Sequence, residues 1–170
     1  MRLLFDDITG KTQHYTINDT RWFPAGDAGL LLEATARLSV SRYDHETIVV
    51  KGRLDGIRET VCDRCGERAE EALHSDFEYQ VTTRKEEVGE REVECSEEDA
   101  NTLHLEEPVV EIDDILREQV YLAVPLRTLC REDCKGICAG CGAFLNKESC
   151  SCGPDTGNSP FAVLKKIGKR

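Results

Sequence analysis

Residues 30–66 read LLLEATARLSVSRYDHETIVVKGRLDGIRETVCDRCG, and this stretch decides the fold. Leu32, Ala34, Ala36, Leu38 and Val40 recur at every second position, the period of a strand with one buried face. A polar YDHE turn follows, then a β-branched run from Thr47 to Leu54, so a hairpin is expected. Ile57 to Val61 either extends the second strand or pairs again after Asp55-Gly56. The stretch closes on Cys62-x-x-Cys65-Gly66, a turn that brings two thiols together.

Further along, Asp76 to Thr83 sets Phe77, Tyr79 and Val81 on one face of another expected strand. Pro108-Val109-Val110 suggests a short strand, and Ile112, Ile115, Leu116, Gln119, Val120 and Ala123 then recur at helical spacing. Asp113 and Asp114 would occupy the first turn, where the helix dipole favours acids, and Pro125 follows the last turn. These signals predict an α+β protein: a small antiparallel β-sheet or partial barrel, one amphipathic helix over about 112–123, and a Cys-rich, zinc-stapled carboxyl region. The expected division is a β-rich core over 1–129, with an acidic loop at about 86–107, and a Cys-rich segment with a basic tail over 130–170. Cys62 and Cys65 would tie the two parts together.

The chain has 170 residues, 39% of them hydrophobic, enough for one domain with a core resting on aliphatic side chains. No apolar run approaches a membrane span, and the opening MRLLFDD carries acids where a signal peptide would stay apolar. A cytoplasmic location is expected, with neither a membrane nor DNA as partner. The formal charge of −11 is unevenly spread. Glu86 to Glu118 holds 14 acidic residues against Arg91 and Arg117, whereas PFAVLKKIGKR ends with Lys165, Lys166, Lys169 and Arg170. A second basic group, Arg58, Arg64, Arg68, Arg127, Arg131, Lys135 and Lys147, flanks the cysteines. Clustered cations of this kind gain free energy by releasing counterions from nucleic acid, and all eleven are candidate RNA contacts. The acidic run reads either as a solvated loop or as a dock for a basic protein.

Nine cysteines without an export signal point to metal, because structural disulfides are scarce in a reducing cytosol. In each Cys-x-x-Cys-Gly turn the glycine, Gly66 or Gly142, can take the positive φ that follows the second ligand. Two such turns plus Cys130, Cys134, Cys150 and Cys152 supply eight thiolates, enough for two structural zinc ions. Local spacing favours Cys138, Cys141, Cys150 and Cys152 as one compact site, since the intervening loop is cheap to close. Cys62, Cys65, Cys130 and Cys134 then form the other. The rival division joins the two Cys-x-x-Cys-Gly turns to each other, and a single ion with spare thiols is a third possibility. Iron–sulfur ligation uses the same thiolates, and a thioredoxin-like dithiol would need a βαβ setting that CDRCG lacks. Cys95 lies among acids that would raise its pKa.

No P-loop, no G-x-G-x-x-G and no nucleophile pattern is present, and a site filled by four thiolates leaves no open position for water. The expectation is a protein that is not an enzyme.

The CDRCG turn, the helix with its LAVP ending (IDDILREQVYLAVP), the DCKGICAGCGAFLN block and the closing NSPFAVLKK follow one another from about Arg53 to Lys166. In that order they resemble the YceD-like family of large ribosomal RNA subunit accumulation proteins. The resemblance implies a bacterial, non-enzymatic ribosome-biogenesis factor that helps large-subunit (23S) ribosomal RNA accumulate. Carried onto this chain, the family motif puts its first pair at Cys62 and Cys65 and its second group at Cys130 and Cys134. Binding of rRNA or a precursor large-subunit particle is the leading expectation. The alternatives are an adaptor whose acidic segment holds a basic ribosomal protein or a nuclease, and a zinc-linked thiol redox switch.

Overall fold

The computed structural model of the protein describes residues 1–24, 29–85 and 100–152. They fall into two units, one of the described residues within 1–60 and 70–126, the other of residues 61–69 and 127–152.

In the first unit β1 (Arg2–Leu4) pairs antiparallel with β7 (Val109–Glu111) as a two-stranded sheet. A five-stranded sheet takes β2 (Gln13–Ile17), β3 (Leu30–Arg42), β4 (Thr47–Val61), β5 (Arg68–Thr82) and β6 (Thr102–His104) in that order. β3 and β4 form the expected hairpin, antiparallel from Arg42↔Ile48 outward. Its turn is closed by the N–H groups of Tyr43 and Asp44 donating to the Thr47 carbonyl at 3.0 and 3.1 Å. Beyond β7 the α-helix α1 (Ile112–Ala123) buries Ile112, Ile115, Leu116, Gln119 and Val120. It stops at Val124, held extended in front of Pro125, as the proline ring requires of the residue before it.

The core of this unit is chiefly aliphatic, with Phe5, Trp22, Phe23 and Tyr79 among it, and Ile8, Val40, Ile48, Val50, Leu54, Val81, Ile112, Leu116 and Val120 are all but closed to water. Gln119 is buried with it, as are the polar Thr47, Arg58 and Thr82. The Gln119 amide accepts from the Ser75 hydroxyl and donates to the Tyr79 hydroxyl, both at 2.7 Å, so no polar atom of the side chain is buried without a partner.

Three expectations need correction. The sheet is mixed rather than antiparallel throughout, because β6 runs parallel to β5. That strand lies inside the stretch read as an acidic loop, of which residues 86–99 fall outside those described. Leu32 is 41% exposed and Leu31 is buried in its place, since a bulge between Leu31 and Glu33 shifts the phase of β3 and a one-residue slip exchanges the two faces of a strand. Of the two readings of Ile57 to Val61, extension is the one seen: Asp55-Gly56 sits within a continuous β4 opposite Thr35 and Ala34. A Cβ on Gly56 would stand 2.8 Å from the Glu33 carbonyl oxygen, so the glycine serves close backbone approach at the bulge. Finally, β5 begins at Arg68, eight residues before Asp76. β1 and β2 were not singled out by the sequence pattern. Among the described residues no helix is long and apolar enough to cross a membrane.

The second unit has a different interior. Its buried cluster is Cys62, Cys65, Ala69 and Cys134, with Leu129 and Cys130 packed against it. One alanine and one leucine are far too little apolar surface to order a chain segment of this length. The sulfur atoms are the core.

Candidate metal centres

Each Cys-x-x-Cys-Gly sequence folds into the same tight turn. In the first, the Gly66 N–H donates to the Cys62 carbonyl and the Cys62 N–H to the Glu67 carbonyl, both at 2.8 Å. In the second, the Gly142 N–H donates to the Cys138 carbonyl and the Cys138 N–H to the Ala143 carbonyl, both at 2.9 Å. Gly66 and Gly142 take φ of 71° and 76°, a region costly to any residue with a Cβ. The glycine after the second cysteine is thus a requirement of the turn, as its position in the sequence suggests.

The thiols gather in two groups, Cys62, Cys65, Cys130 and Cys134 in one, and Cys138, Cys141, Cys150 and Cys152 in the other. Within each, all four Sγ atoms lie within 4.8 Å of one another. All eight are free thiols. In the first group Sγ of Cys62 stands 3.8 Å from that of Cys134, and Sγ of Cys65 stands 3.7 Å from that of Cys130. A tetrahedron with metal–sulfur bonds of about 2.3 Å has edges of about 3.8 Å. In the second group Cys138 and Cys150 approach to 3.4 Å. Either group could hold a metal ion. They differ in burial: Cys62, Cys65 and Cys134 are buried, whereas Cys141 and Cys152 are exposed.

The electrostatics suit a cation. Burial pushes the Cys62 thiol up, but N–H groups of Cys130, Arg64 and Cys65 aimed at its sulfur more than offset this and bring it to about 6. Cys138 is likewise lowered to about 6 by the N–H groups of Cys141 and Gly140. Cys130 is pushed up to about 12 by burial and by the adjoining sulfurs, and Cys152 to about 11 by Cys141. In the first group Cys134 is lowered as well, chiefly by the Asn146 amide, while Cys65 and Cys130 resist a further negative charge, and in the second group Cys150 and Cys152 resist one beside Cys138. A divalent cation at the centre removes that resistance.

Further contacts fix the first group. Asp63 and Thr128 clamp each other: the Thr128 N–H donates to Oδ2 of Asp63 at 2.6 Å, and the Asp63 N–H to the Thr128 carbonyl at 2.9 Å. Arg64 Nη1 donates to the Cys134 carbonyl at 2.7 Å. Nδ2 of Asn146 donates to Sγ of Cys134 at 3.2 Å. Asp63, Thr128 and Asn146 were not among the candidate residues read from the sequence. The first two belong to ordinary turn chemistry, and nothing in the local pattern around Asn146 shows that the loop returns it to a distant sulfur.

The flanking cations are placed unequally. Arg58 belongs to the first unit and is 5% exposed, its Nε and Nη2 both 2.7 Å from Oε2 of Glu71. Lys147 forms an ion pair with Glu67, which holds that carboxyl below its ordinary range. Arg64, Arg68, Arg127, Arg131 and Lys135 are exposed, with Arg131 3.4 Å from Asp133. Lys165, Lys166, Lys169, Arg170 and Cys95 lie outside the described residues.

A family model described as "Large ribosomal RNA subunit accumulation protein YceD" matches residues 50–168. The chain is 34% identical to "Large ribosomal RNA subunit accumulation protein YCED homolog 1, chloroplastic" of Arabidopsis thaliana, an alignment covering 68% of this chain and 45% of the relative. The protein of the same name from Zea mays is 26% identical, over 60% of this chain and 44% of its own length. The chain thus spans less than half the length of these curated relatives, both of which are named as chloroplastic. No solved structure matches. With the match running from β4 through both cysteine groups and beyond, this chain belongs to the YceD family of large ribosomal RNA subunit accumulation proteins.

Proposed function

We propose that this protein promotes the accumulation of large-subunit ribosomal RNA without catalysing a reaction, by contacting that RNA or a precursor large-subunit particle. The observation that carries the reading is the family match over residues 50–168, which includes every cysteine of the two groups. Each group binds one zinc ion in a structural role. Four thiolate ligands, a spacing that fits a tetrahedron in the first group, and a unit with almost no apolar core all favour an ion that holds the fold and leaves no position for water. The contact surface is carried by the exposed cations of this unit, Arg68, Arg127, Arg131 and Lys135, with Lys165, Lys166, Lys169 and Arg170 of the tail. Buried Arg58 has no part in it. The net charge of −11 opposes indiscriminate binding to nucleic acid, so contact is local and salt-sensitive.

Ultraviolet crosslinking in living cells, followed by sequencing of the attached RNA, tests this reading. Sharp crosslinks on large-subunit rRNA that weaken when Arg127, Arg131 and Lys135 are changed together to Gln are expected. Absence of rRNA above background, with co-purification of a basic ribosomal protein that is lost on deleting residues 86–107, would replace it with the adaptor reading.

A further inference from the structure

We propose that the second cysteine group sets the metal affinity of the first, through Asn146 and Lys147, so that the two centres load cooperatively. The inference rests on the reading of both groups as metal sites. Cys134 is a ligand of the first centre, and its sulfur accepts a hydrogen bond from Nδ2 of Asn146 at 3.2 Å. The amide is oriented by its other end, where Oδ1 accepts the Lys135 N–H at 2.8 Å. One residue on, Lys147 pairs with Oε1 of Glu67, whose Oε2 lies 3.8 Å from Sγ of Cys65. The lysine therefore neutralises a carboxylate that would otherwise repel a thiolate ligand. Two ligands of the first centre depend on two successive residues.

Both residues belong to the loop between Cys141 and Cys150, which are ligands of the second centre. The loop has a short frame of its own: the N–H groups of Lys147 and Glu148 donate to the Phe144 carbonyl at 2.9 Å, and the Leu145 N–H to the Gly136 carbonyl at 3.0 Å. Its first end is held by the turn hydrogen bonds of Cys138 and Gly142 and by the Ile137–Phe144 bridge, whereas its second end, at Cys150, is held to Cys138 through sulfur, and Cys141 and Cys152 are exposed. An ion shared by Cys138, Cys141, Cys150 and Cys152 closes that loop and holds Asn146 and Lys147 against the first centre. Groups that bond to metal ligands tune affinity by about 10–100-fold, and the coupling must act equally in both directions. Asn146 is thus a positioning residue for a centre to which it contributes no ligand.

The test is competition of the full-length, reduced protein with a chromophoric chelator for zinc, with cobalt(II) absorption reporting thiolate coordination. Wild type, Cys150→Ser with Cys152→Ser, Asn146→Asp, Lys147→Gln, and the serine pair combined with Asn146→Asp are compared. Asn146→Asp keeps the acceptor for the Lys135 N–H, so the loop stays anchored, and replaces the donor to sulfur with a carboxylate oxygen that repels it. The expected result is a loss of roughly tenfold or more at the first centre in the serine pair and in Asn146→Asp. Combining them should lose little more than the serine pair alone, because Asn146 is already released. Unchanged affinity at the first centre when the second is emptied overturns the inference and leaves two independent metal sites. A wild-type chain that takes up no zinc or cobalt overturns the metal reading itself, and the inference with it.

Discussion

Arg58 reaches across to Glu71 with Nε and Nη2 both 2.7 Å from the same carboxylate oxygen, and the two side chains are only 6% and 16% exposed. β4 and β5 are neighbours in the five-stranded sheet, so this pair joins two strands from within. Removing one partner of a buried pair strands the other charge in a poor solvent, at a cost of about 3–5 kcal/mol. Arg58→Gln should therefore lower stability in urea titrations by that order while leaving RNA retention by the folded fraction unchanged. Arg58→Met with Glu71→Leu should recover most of the loss. A folded Arg58→Gln protein of wild-type stability that sheds RNA would return this residue to the contact surface.

Asp55 gives a pH dependence with a definite sign. A hydrogen bond from His74 at 2.8 Å, aided by Arg53, holds its carboxyl below the ordinary 3.8. A carboxylate lowered in the folded state contributes stability above the ordinary value and loses it as pH falls through the lowered one. Side-chain exposure of 41% keeps the effect small. Changing His74 to Phe should move the Asp55 carboxyl titration, followed by carbon NMR, upward toward 3.8. An unmoved titration would assign the lowering to the arginines.

What could be read in the sequence divides along physical lines. α1 was legible to the residue, because an apolar stripe bounded by first-turn acids and a following proline is local information. The hairpin was legible for the same reason, yet Leu32 was assigned to the wrong face, since a bulge depends on what lies across the ladder at Gly56. β6 was hidden because a three-residue strand beside β5 is decided by its partner and not by its own pattern. At the cysteines, loop-closure cost separated the same two sets of four that the fold gathers. The surrounding basic residues were legible only as charges. Whether each meets solvent, as Arg127 does, or a carboxylate, as Arg58 and Lys147 do, is tertiary information.

Leu116 and Leu122 are a matched pair for the core. Both lie on α1, Leu116 fully buried and Leu122 68% exposed. Truncating a buried leucine costs its transfer free energy plus that of the cavity left behind, about 2–5 kcal/mol. Leu116→Ala should shift the urea midpoint by that order, while Leu122→Ala should stay within about 0.5 kcal/mol of wild type. Equal effects would mean that Leu122 is covered by something in solution.

Metal removal should act on one unit and spare the other, because their interiors are made of different material. Residues 1–60 and 70–126 enclose an aliphatic core in which Val50, Val81 and Leu116 are closed to water. Residues 61–69 and 127–152 enclose chiefly sulfur. When binding energy is folding energy, withdrawing the ion withdraws the fold. A strong chelator added to the reduced, zinc-loaded protein should abolish hydrogen-exchange protection at Gly66 and Gly142, whose N–H groups close the two turns. Protection at Val50, Val81 and Leu116 should persist, and zinc returned with the thiols still reduced should restore the turns. Cys134→Ser should reproduce the loss at Gly66 and lower the zinc content from two ions to one or fewer. Protection that survives chelation at Gly66 would show that hydrogen bonds such as the Asp63–Thr128 clamp hold this turn without metal.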